Sequence, residues 1–357
     1  MNGLSIELLS HPGETLLEVL ESNNMTQKEL AARIGVTAKH INRIVAGKES
    51  IGPETAFKLE KVFSNISASF WNTLQANYDS EYMQVIESET VSEEEKAVFN
   101  NNTYTFLVNE NYLERMHDIN SKVIQMRSFL GVSNLCNIDN MLNANARFRK
   151  SSRVSMNNFA LAAWMKVCEL KTDEVAVDNQ LDINGLLNEL DVIKKLNNLS
   201  DMNEISIRLK DIFARHGIAF AVVKSIAGAP VQGFIRKINN KTRLCMTIRG
   251  KWLDIFWFTL FHEIGHLKDI ENELYLEFDE RTNNASEMSA DLFACDNLID
   301  RIKYKNYVKN KENINKNSII NFCEEQHIKP GILVGRMQHD GIIKYSEYNE
   351  LREKVLC

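Results

Sequence analysis

The sequence lacks any long apolar run. The longest ones, such as residues 217–223, are far too short to span a bilayer, so we expect no membrane partner. No apolar stretch follows a basic start, and a signal peptide is therefore not expected. The six cysteines never form a C-x-x-C pair, which favours a reduced, cytoplasmic protein with buried thiols.

A basic excess is also absent. The formal net charge of the 357 residues is −6, so any contact with nucleic acid must be local. The length allows two or three domains, and we find no internal repeat. We divide the chain into residues 1–80, a linker and helical region at 81–200, and residues 201–357. An acidic, polar stretch at 87–95 marks a soft boundary.

Residues 25–47 carry the pattern of two short helices joined by a tight turn. Thr26 and Glu29 form a predicted capping box for the first helix, and Gly35 ends that helix and permits the turn. Thr37 caps the second helix, which makes the pair a predicted helix-turn-helix. Between residues 28 and 48, five basic residues stand against one acid, a local charge contrast that favours DNA binding. The alternative is an ordinary helical hairpin with a solvated charged face.

The sequence around this motif resembles the HigA branch of the XRE-type DNA-binding proteins. The resemblance covers nearly all of residues 11–79, and it is carried by His-Pro-Gly-Glu at 11–14, Gly-Pro-Glu-Thr-Ala at 52–56 and Phe-Trp-Asn-Thr-Leu-Gln-Ala-Asn-Tyr-Asp at 70–79. It implies a five-helix domain that forms a homodimer, binds a palindromic double-stranded DNA operator and often represses its own toxin–antitoxin operon. The family's recognition-helix positions fall here on Thr37, Ala38, Lys39, His40, Asn42 and Arg43, while Lys48 is expected to touch phosphate.

From residue 204 the pattern changes from helical to mixed. The periodicity predicts helices at 155–170, 186–196 and 205–216, and strands at 218–223, 231–237 and 243–248. Asn239 and Asn240 would form the turn between the last two strands. A helix, a small antiparallel sheet and two further helices then follow in the order of an α+β domain.

An H-E-x-x-H motif lies at residues 262–266, within an apolar run that fits a buried helix. His262 and His266 would lie one turn apart on the same face, where they can take two corners of a tetrahedral Zn²⁺ site. Glu263 would reach a metal-bound water and accept its proton. Gly265 costs about 1 kcal/mol inside a helix relative to alanine, so it indicates close packing near the metal. The alternative is a chance match without function.

The missing ligand is predicted on a following helix. Glu287 and Asp291 have the spacing of one helical turn. Glu287 would supply the third zinc ligand, and Asp291 would accept the N–H of a liganding histidine and fix its tautomer. The fourth position would stay open for water, which is typical of a catalytic zinc site rather than a structural one.

The second half also resembles a known family, the ImmA/IrrE metallo-endopeptidases. Phe-Trp-Phe-Thr-Leu-Phe-His-Glu-Ile-Gly-His at 256–266 carries the resemblance, together with Glu287, Ala290, Asp291, Phe293 and Ala294. It extends over about 200–340 and implies a zinc-dependent protease acting on a phage or stress repressor, with His262, His266 and Glu287 as metal ligands and Glu263 as general base. By analogy with such proteases, we expect strand 243–248 to be an exposed edge that binds an extended peptide.

We therefore predict a mainly α protein with a small α+β part. It would consist of an all-α, lambda-repressor-like helix-turn-helix domain, a helical middle and a zincin-like α+β peptidase domain. The predicted function is a DNA-binding transcriptional regulator of the HigA antitoxin type that carries a zinc-dependent endopeptidase. Its substrate would be a partner protein, a cognate toxin or its own chain. The alternative is a DNA-binding antitoxin or scaffold whose metallopeptidase-like domain is non-catalytic and binds a partner protein.

Overall fold

The computed structural model describes residues 9–89, 91–145, 156–238, 241–248, 252–268, 274–278, 285–309 and 311–355. The chain divides into two compact units. The first contains Met1–Lys96 with Met116–Ile124, and the second contains Ala97–Arg115 with Gln125–Cys357. Among the described residues, no helix is both long and apolar enough to cross a membrane.

The first unit begins with the five helices of the predicted DNA-binding domain. They are α1 (Pro12–Ser22), α2 (Gln27–Ile34), α3 (Ala38–Val45), α4 (Pro53–Val62) and α5 (Ala68–Glu89). Prolines stand in the first turns of α1 and α4, where a missing N–H costs nothing. The apolar faces of these helices meet in one core, whose fully buried members include Leu16, Leu30, Ile41, Ile44, Leu59 and Trp71.

The helices between this domain and the sheet are α6 (Glu93–Val98), α7 (Asn101–Asn109), α8 (Ile119–Leu130), α9 (Ile138–Asn145), α10 (Asn158–Asp173), α11 (Ile183–Asn188), α12 (Leu190–Lys195) and α13 (Met202–Arg215). The prediction of one helix at 186–196 is wrong, because the segment forms two short helices that meet at Glu189. The Glu189 side chain turns to Arg215 and His216 at the end of α13, at 2.7 Å and 3.1 Å. This tertiary contact had no signal in the local sequence.

Within the part of the chain that the structure describes, the sheet has four strands: β1 (Ile218–Val223), β2 (Val231–Ile238), β3 (Lys241–Thr247) and β4 (Leu274–Phe278). Their spatial order is β1-β3-β2-β4. The prediction of an antiparallel sheet is wrong in part, because β1 and β3 run parallel while the other two pairs are antiparallel. The proposed turn at Asn239 and Asn240 lies outside the described residues.

The strand predicted at 243–248 is not an edge. β3 pairs with β1 on one side and with β2 on the other, so its backbone hydrogen bonds are used within the sheet. The edges are β1 and β4, and β4 was not predicted. An extended peptide therefore cannot add to β3, and our expectation of β-augmentation there is wrong.

The remaining helices are α14 (Leu253–Leu267), α15 (Ala285–Leu298), α16 (Arg301–Lys309), α17 (Lys316–Gln326) and α18 (Pro330–His339). α14 packs against α15, against α18 and against the sheet. Its Trp257, Leu260 and Phe261 are fully buried in the core of the second unit. The H-E-x-x-H motif consequently lies in the C-terminal third of a helix that packs against other elements.

Candidate functional site

Local sequence signals build the α2–α3 pair. The Thr26 hydroxyl accepts a hydrogen bond from the Glu29 backbone N–H, and the Thr37 hydroxyl accepts one from the His40 backbone N–H, both at 3.2 Å. Between the two helices, Gly35 adopts a left-handed conformation with φ of +70°, which glycine adopts without strain. The N-caps Thr26 and Thr37 and the turn residue Gly35 are therefore confirmed. The second half of the predicted capping box is not, because the Glu29 side chain accepts a hydrogen bond from Arg33.

The predicted DNA-contacting residues lie on one side of α3 and just beyond it. Ile41 and Ile44 on the opposite side are fully buried. His40 is half-buried, and the others are exposed, namely Thr37, Ala38, Lys39, Asn42, Arg43 and Lys48. The helix thus presents a continuous hydrogen-bonding surface of the kind that enters a DNA groove.

An acid lies within this basic surface. Glu49 accepts hydrogen bonds from the His40 ring Nδ1 at 2.8 Å and from the Arg43 Nε at 2.9 Å. Desolvation disfavours the charged carboxylate, but the hydrogen bonds from Arg43 and His40 and the charge of Arg43 outweigh it and hold the pKa of Glu49 below its usual value. The sequence reasoning missed Glu49, although it is the first acid after the basic residues of this segment.

The Phe-Trp…Asp stretch lies on α5, which packs against α4 and α1. The Trp71 side chain is fully buried in the domain core. The Gln75 side chain accepts a hydrogen bond from the Ile51 backbone N–H at 2.9 Å and donates one to Asp79 at 2.8 Å. α5 therefore fixes the end of the segment that leads from α3 to α4.

A second cluster lies on α14 and α15. The Nε2 atoms of His262 and His266 are 2.9 Å apart, and the Glu287 Oε2 atom lies 3.3 Å from the first and 3.4 Å from the second. All three side chains are at least four-fifths buried. Among the described residues, this is the only group of three metal-type donors that converges on one point.

The spacing of the three donor atoms fits zinc. Ligand bonds of about 2.0–2.1 Å in a tetrahedral site place neighbouring ligand atoms about 3.3 Å apart, close to the separations found here. Two imidazoles and one carboxylate are a donor set that zinc accepts in catalytic sites. The residues present are therefore compatible with Zn²⁺ in both chemistry and spacing.

The Asp291 carboxylate contacts the other ring nitrogen of His262, with 2.9 Å between Oδ1 and Nδ1. A carboxylate at this position keeps the proton on Nδ1 and leaves the Nε2 lone pair directed at the cluster. The structure thus places Glu287 in the cluster and Asp291 behind it, and their roles at a metal stay predictions.

The charge state of Glu287 suits a metal ligand. Burial disfavours its ionised form, but the neighbouring imidazoles of His262 and His266 outweigh burial and hold the pKa of Glu287 well below its usual value. The carboxylate is therefore ionised at neutral pH, as a metal requires.

Two glycines make room for the cluster. A Cβ atom on Gly265 would lie 3.0 Å from the Ala290 Cα, so glycine allows α14 and α15 to approach closely. A Cβ atom on Gly233 of β2 would overlap the Glu263 carboxylate, so Gly233 leaves the space that this buried side chain occupies. Gly265 has the packing role that we predicted, whereas the role of Gly233 had no sequence signal.

A cavity of about 470 Å³ adjoins the cluster, and both His262 and Asp291 line it. Its apolar wall includes Trp252, Ile255 and Phe258. Of the three converging donors, His262 is the one that lines this cavity, which also borders Asp291 behind it.

Comparison with known proteins concerns the first unit. Residues 16–71 match the Helix-turn-helix family model. Virulence-associated protein A of Dichelobacter nodosus is 41% identical over 69 residues, which are 19% of this chain and 68% of that protein. The chain belongs to the helix-turn-helix family. Virulence-associated protein A′ of the same organism is 36% identical over 69 residues, and this chain spans 60% of its length.

Two solved structures are similar to the same share of the chain. One is the Pseudomonas aeruginosa antitoxin HigA with higBA promoter, which is 30% identical, with 23% of this chain and 88% of that chain covered and a TM-score of 0.22. The other is an addiction module antidote protein of a HigA family from Coxiella burnetii, 31% identical, with 24% and 97% covered and a TM-score of 0.21. TM-scores this low do not establish a shared fold.

The helix-turn-helix family match includes every predicted DNA-contacting residue, from Thr37 to Lys48. It ends at residue 71 and does not reach the cluster on α14 and α15. The resemblance of residues 200–340 to ImmA/IrrE peptidases therefore stays a prediction, and so do the zinc ion and the role of each cluster residue.

Proposed function

We propose that this protein is a DNA-binding transcription regulator of the antitoxin type and that α3 reads its operator. The observation that carries the proposal is the exposed hydrogen-bonding side of α3, opposite the buried Ile41 and Ile44. Membership of the helix-turn-helix family supports it, since the second helix of this motif lies in the major groove. The proposal includes a homodimer on a palindromic operator and repression of its own toxin–antitoxin, stress or phage operon.

The side chains on and beside α3 suit both contacts with base edges and contacts with phosphates. The Arg43 guanidinium matches the two acceptors of guanine, and the Asn42 amide matches adenine. Lys48, beyond the end of the helix, would neutralise a phosphate, which positions the protein without specifying sequence. Lys39 adds a further exposed positive charge on the same side.

Fluorescence anisotropy with the full chain and the duplex from upstream of its own coding region tests this proposal. We expect Arg43→Ala to weaken binding at least about 10-fold, because a bidentate base contact is lost. Arg33→Ala is the matched control, since Arg33 is an exposed arginine of α2 that pairs with Glu29. Equal affinities of the two variants would show that the α3 face does not read DNA.

We further propose that the second unit is a zinc-dependent endopeptidase. The convergence of His262, His266 and Glu287, with Asp291 bonded to His262, favours this second function. These three residues would hold the ion. Zinc supplies Lewis-acid activation of water for hydrolysis when bound. Glu263 would accept a proton from the attacking water and return it to the leaving amine.

The same cluster is compatible with a non-catalytic role. In that case the second unit would bind a partner protein or a cognate toxin as a scaffold. As an endopeptidase, it would cleave a partner protein, a toxin or its own chain. Hydrolysis and mere binding are distinguished by the Glu263 variant described in the Discussion.

The zinc content of protein purified without added metal tests the site itself. We expect about one zinc per chain in the wild type and none in His262→Ala, because two remaining ligands bind zinc too weakly to retain it through purification. His117→Ala is the control, since His117 is an exposed histidine outside the cluster. Wild-type protein that takes up no zinc even after reconstitution would refute the site.

A further inference from the structure

One carboxylate joins two of the residues proposed to read bases. The two oxygens of Glu49 contact different partners, Oε1 the ring of His40 and Oε2 the Nε of Arg43. The three side chains are 35%, 27% and 51% exposed, so the arrangement lies at the surface of α3 and not in the core. It is therefore part of the face that would meet DNA.

The contact with Glu49 determines how His40 presents its ring. A nitrogen that contacts a carboxylate carries a proton, so Nδ1 is the donor. In the neutral ring the other nitrogen, Nε2, is then an acceptor on the opposite side of the imidazole. An acceptor at this position pairs with an exocyclic amino group, on adenine or cytosine, and not with guanine O6.

The same carboxylate limits how Arg43 can turn. Its Nε donates to Glu49, and its Nη2 lies 3.4 Å from the Lys48 carbonyl oxygen. A long side chain that is held before binding loses less rotamer freedom when it forms its contacts. Arg43 can then offer its terminal nitrogens to guanine in one plane.

A carboxylate on a DNA-facing surface also has a cost. Its negative charge repels the phosphates and lowers affinity for every sequence equally. Glu49 would thus weaken the attraction to phosphates of any sequence while it orients His40 and Arg43, so its contribution is to sequence specificity. Its removal should therefore change affinity and discrimination in opposite directions.

We infer that Glu49 is the positioning residue of this surface and sets which bases His40 and Arg43 accept. The inference rests on the proposed reading of DNA by α3. It assigns Glu49 no direct contact with a base.

The experiment is a selection of bound duplexes from a library with a randomised segment of about 20 base pairs, a length that holds two half-sites one helical turn apart. It uses the full chain and compares wild type with Glu49→Gln and Glu49→Ala. Selected and unselected duplexes are then measured by fluorescence anisotropy. Glu29→Gln is the matched control, because it removes the same charge from an exposed acid that pairs with an arginine, Arg33, at 2.7 Å.

We expect both Glu49 variants to bind unselected duplexes more tightly and to discriminate about 10-fold less at the base pairs read by His40 and Arg43. Glu29→Gln should show only the general increase in affinity. Unchanged base preferences in Glu49→Ala would overturn the inference, and so would a uniform loss of binding to all sequences, which indicates a structural role. If the wild-type protein enriches no sequence, DNA reading by α3 is itself wrong and the role of Glu49 is lost with it.

Discussion

The face of α3 that we propose to read DNA and the donor cluster of α14 and α15 are assembled in different ways. The first consists of neighbours on and beside one helix of eight residues. The second brings residues 262 and 266 of one helix to residue 287 of another. A helix fixes the relative positions of its own side chains through its period, whereas two helices must pack correctly to make a shared site. Substitutions should therefore affect the α3 face through side-chain chemistry alone, and they should affect the donor cluster through helix packing as well.

The largest effect is expected from a substitution at the donor cluster that changes proton transfer and leaves the packing of the helices unchanged. Glu263→Gln should lower peptide hydrolysis by about 10²–10⁴-fold, because the amide cannot take the proton from water. Zinc content should stay at the wild-type level, since Glu263 is not among the three converging donors. Cleavage is followed by mass spectrometry on a mixed peptide library. Undiminished cleavage would mean that this residue has no proton-transfer role, while wild-type protein that binds zinc but cleaves nothing would favour the scaffold function.

The next largest effect is expected from a substitution in the core of the first unit that leaves the exposed residues of α3 unchanged. Trp71→Ala should destabilise the first unit by about 3–5 kcal/mol, because a fully buried indole is removed. Phe70→Ala is the control, since its neighbouring ring is 45% exposed. Urea unfolding followed by far-UV circular dichroism measures both. Equal losses in the two variants would contradict the burial of Trp71 as the source of stability.

The smallest effect concerns packing at the donor cluster. Gly265→Val should separate α14 from α15, because even a Cβ atom there lies 3.0 Å from the Ala290 Cα. Overpacking of this kind costs about 1–3 kcal/mol, and we expect zinc affinity to fall about 10-fold as Glu287 and Asp291 move with α15. Competition with a zinc-binding dye measures the affinity.

Gly52→Val is the control for that substitution. Gly52 has an extended backbone with φ of −73°, and no atom lies within 4 Å of a Cβ at this position. Gly52→Val should therefore leave zinc affinity unchanged. Unaltered affinity in Gly265→Val as well would show that the close approach of the two helices does not support the cluster.

Periodic and capped segments were predicted well, and contacts between distant segments were not. The limits of α2 and α3 follow from Thr26, Gly35 and Thr37, each of which acts on its own backbone neighbours. The pairing of β3 on both sides and the break at Glu189 depend on residues far along the chain. Alternation of apolar residues marks a strand but does not say which strands lie beside it.

The candidate sites divide in the same way. Residue type and helical spacing were enough to nominate His262, His266, Glu287 and Asp291, because each pair shares a helix face. Glu49 and Gly233 were missed, since neither belongs to a spacing pattern. Their roles depend on which side chain lies opposite them in space.

By itself the sequence determined the helix-turn-helix, its exposed basic side and the donor types that could hold a metal, because caps, turns and helical periods act over a few residues. Only the tertiary structure decided that β3 is central, that the three donors converge within a few ångströms and that Glu49 lies between His40 and Arg43. These features come from packing between segments, whose geometry no local pattern specifies.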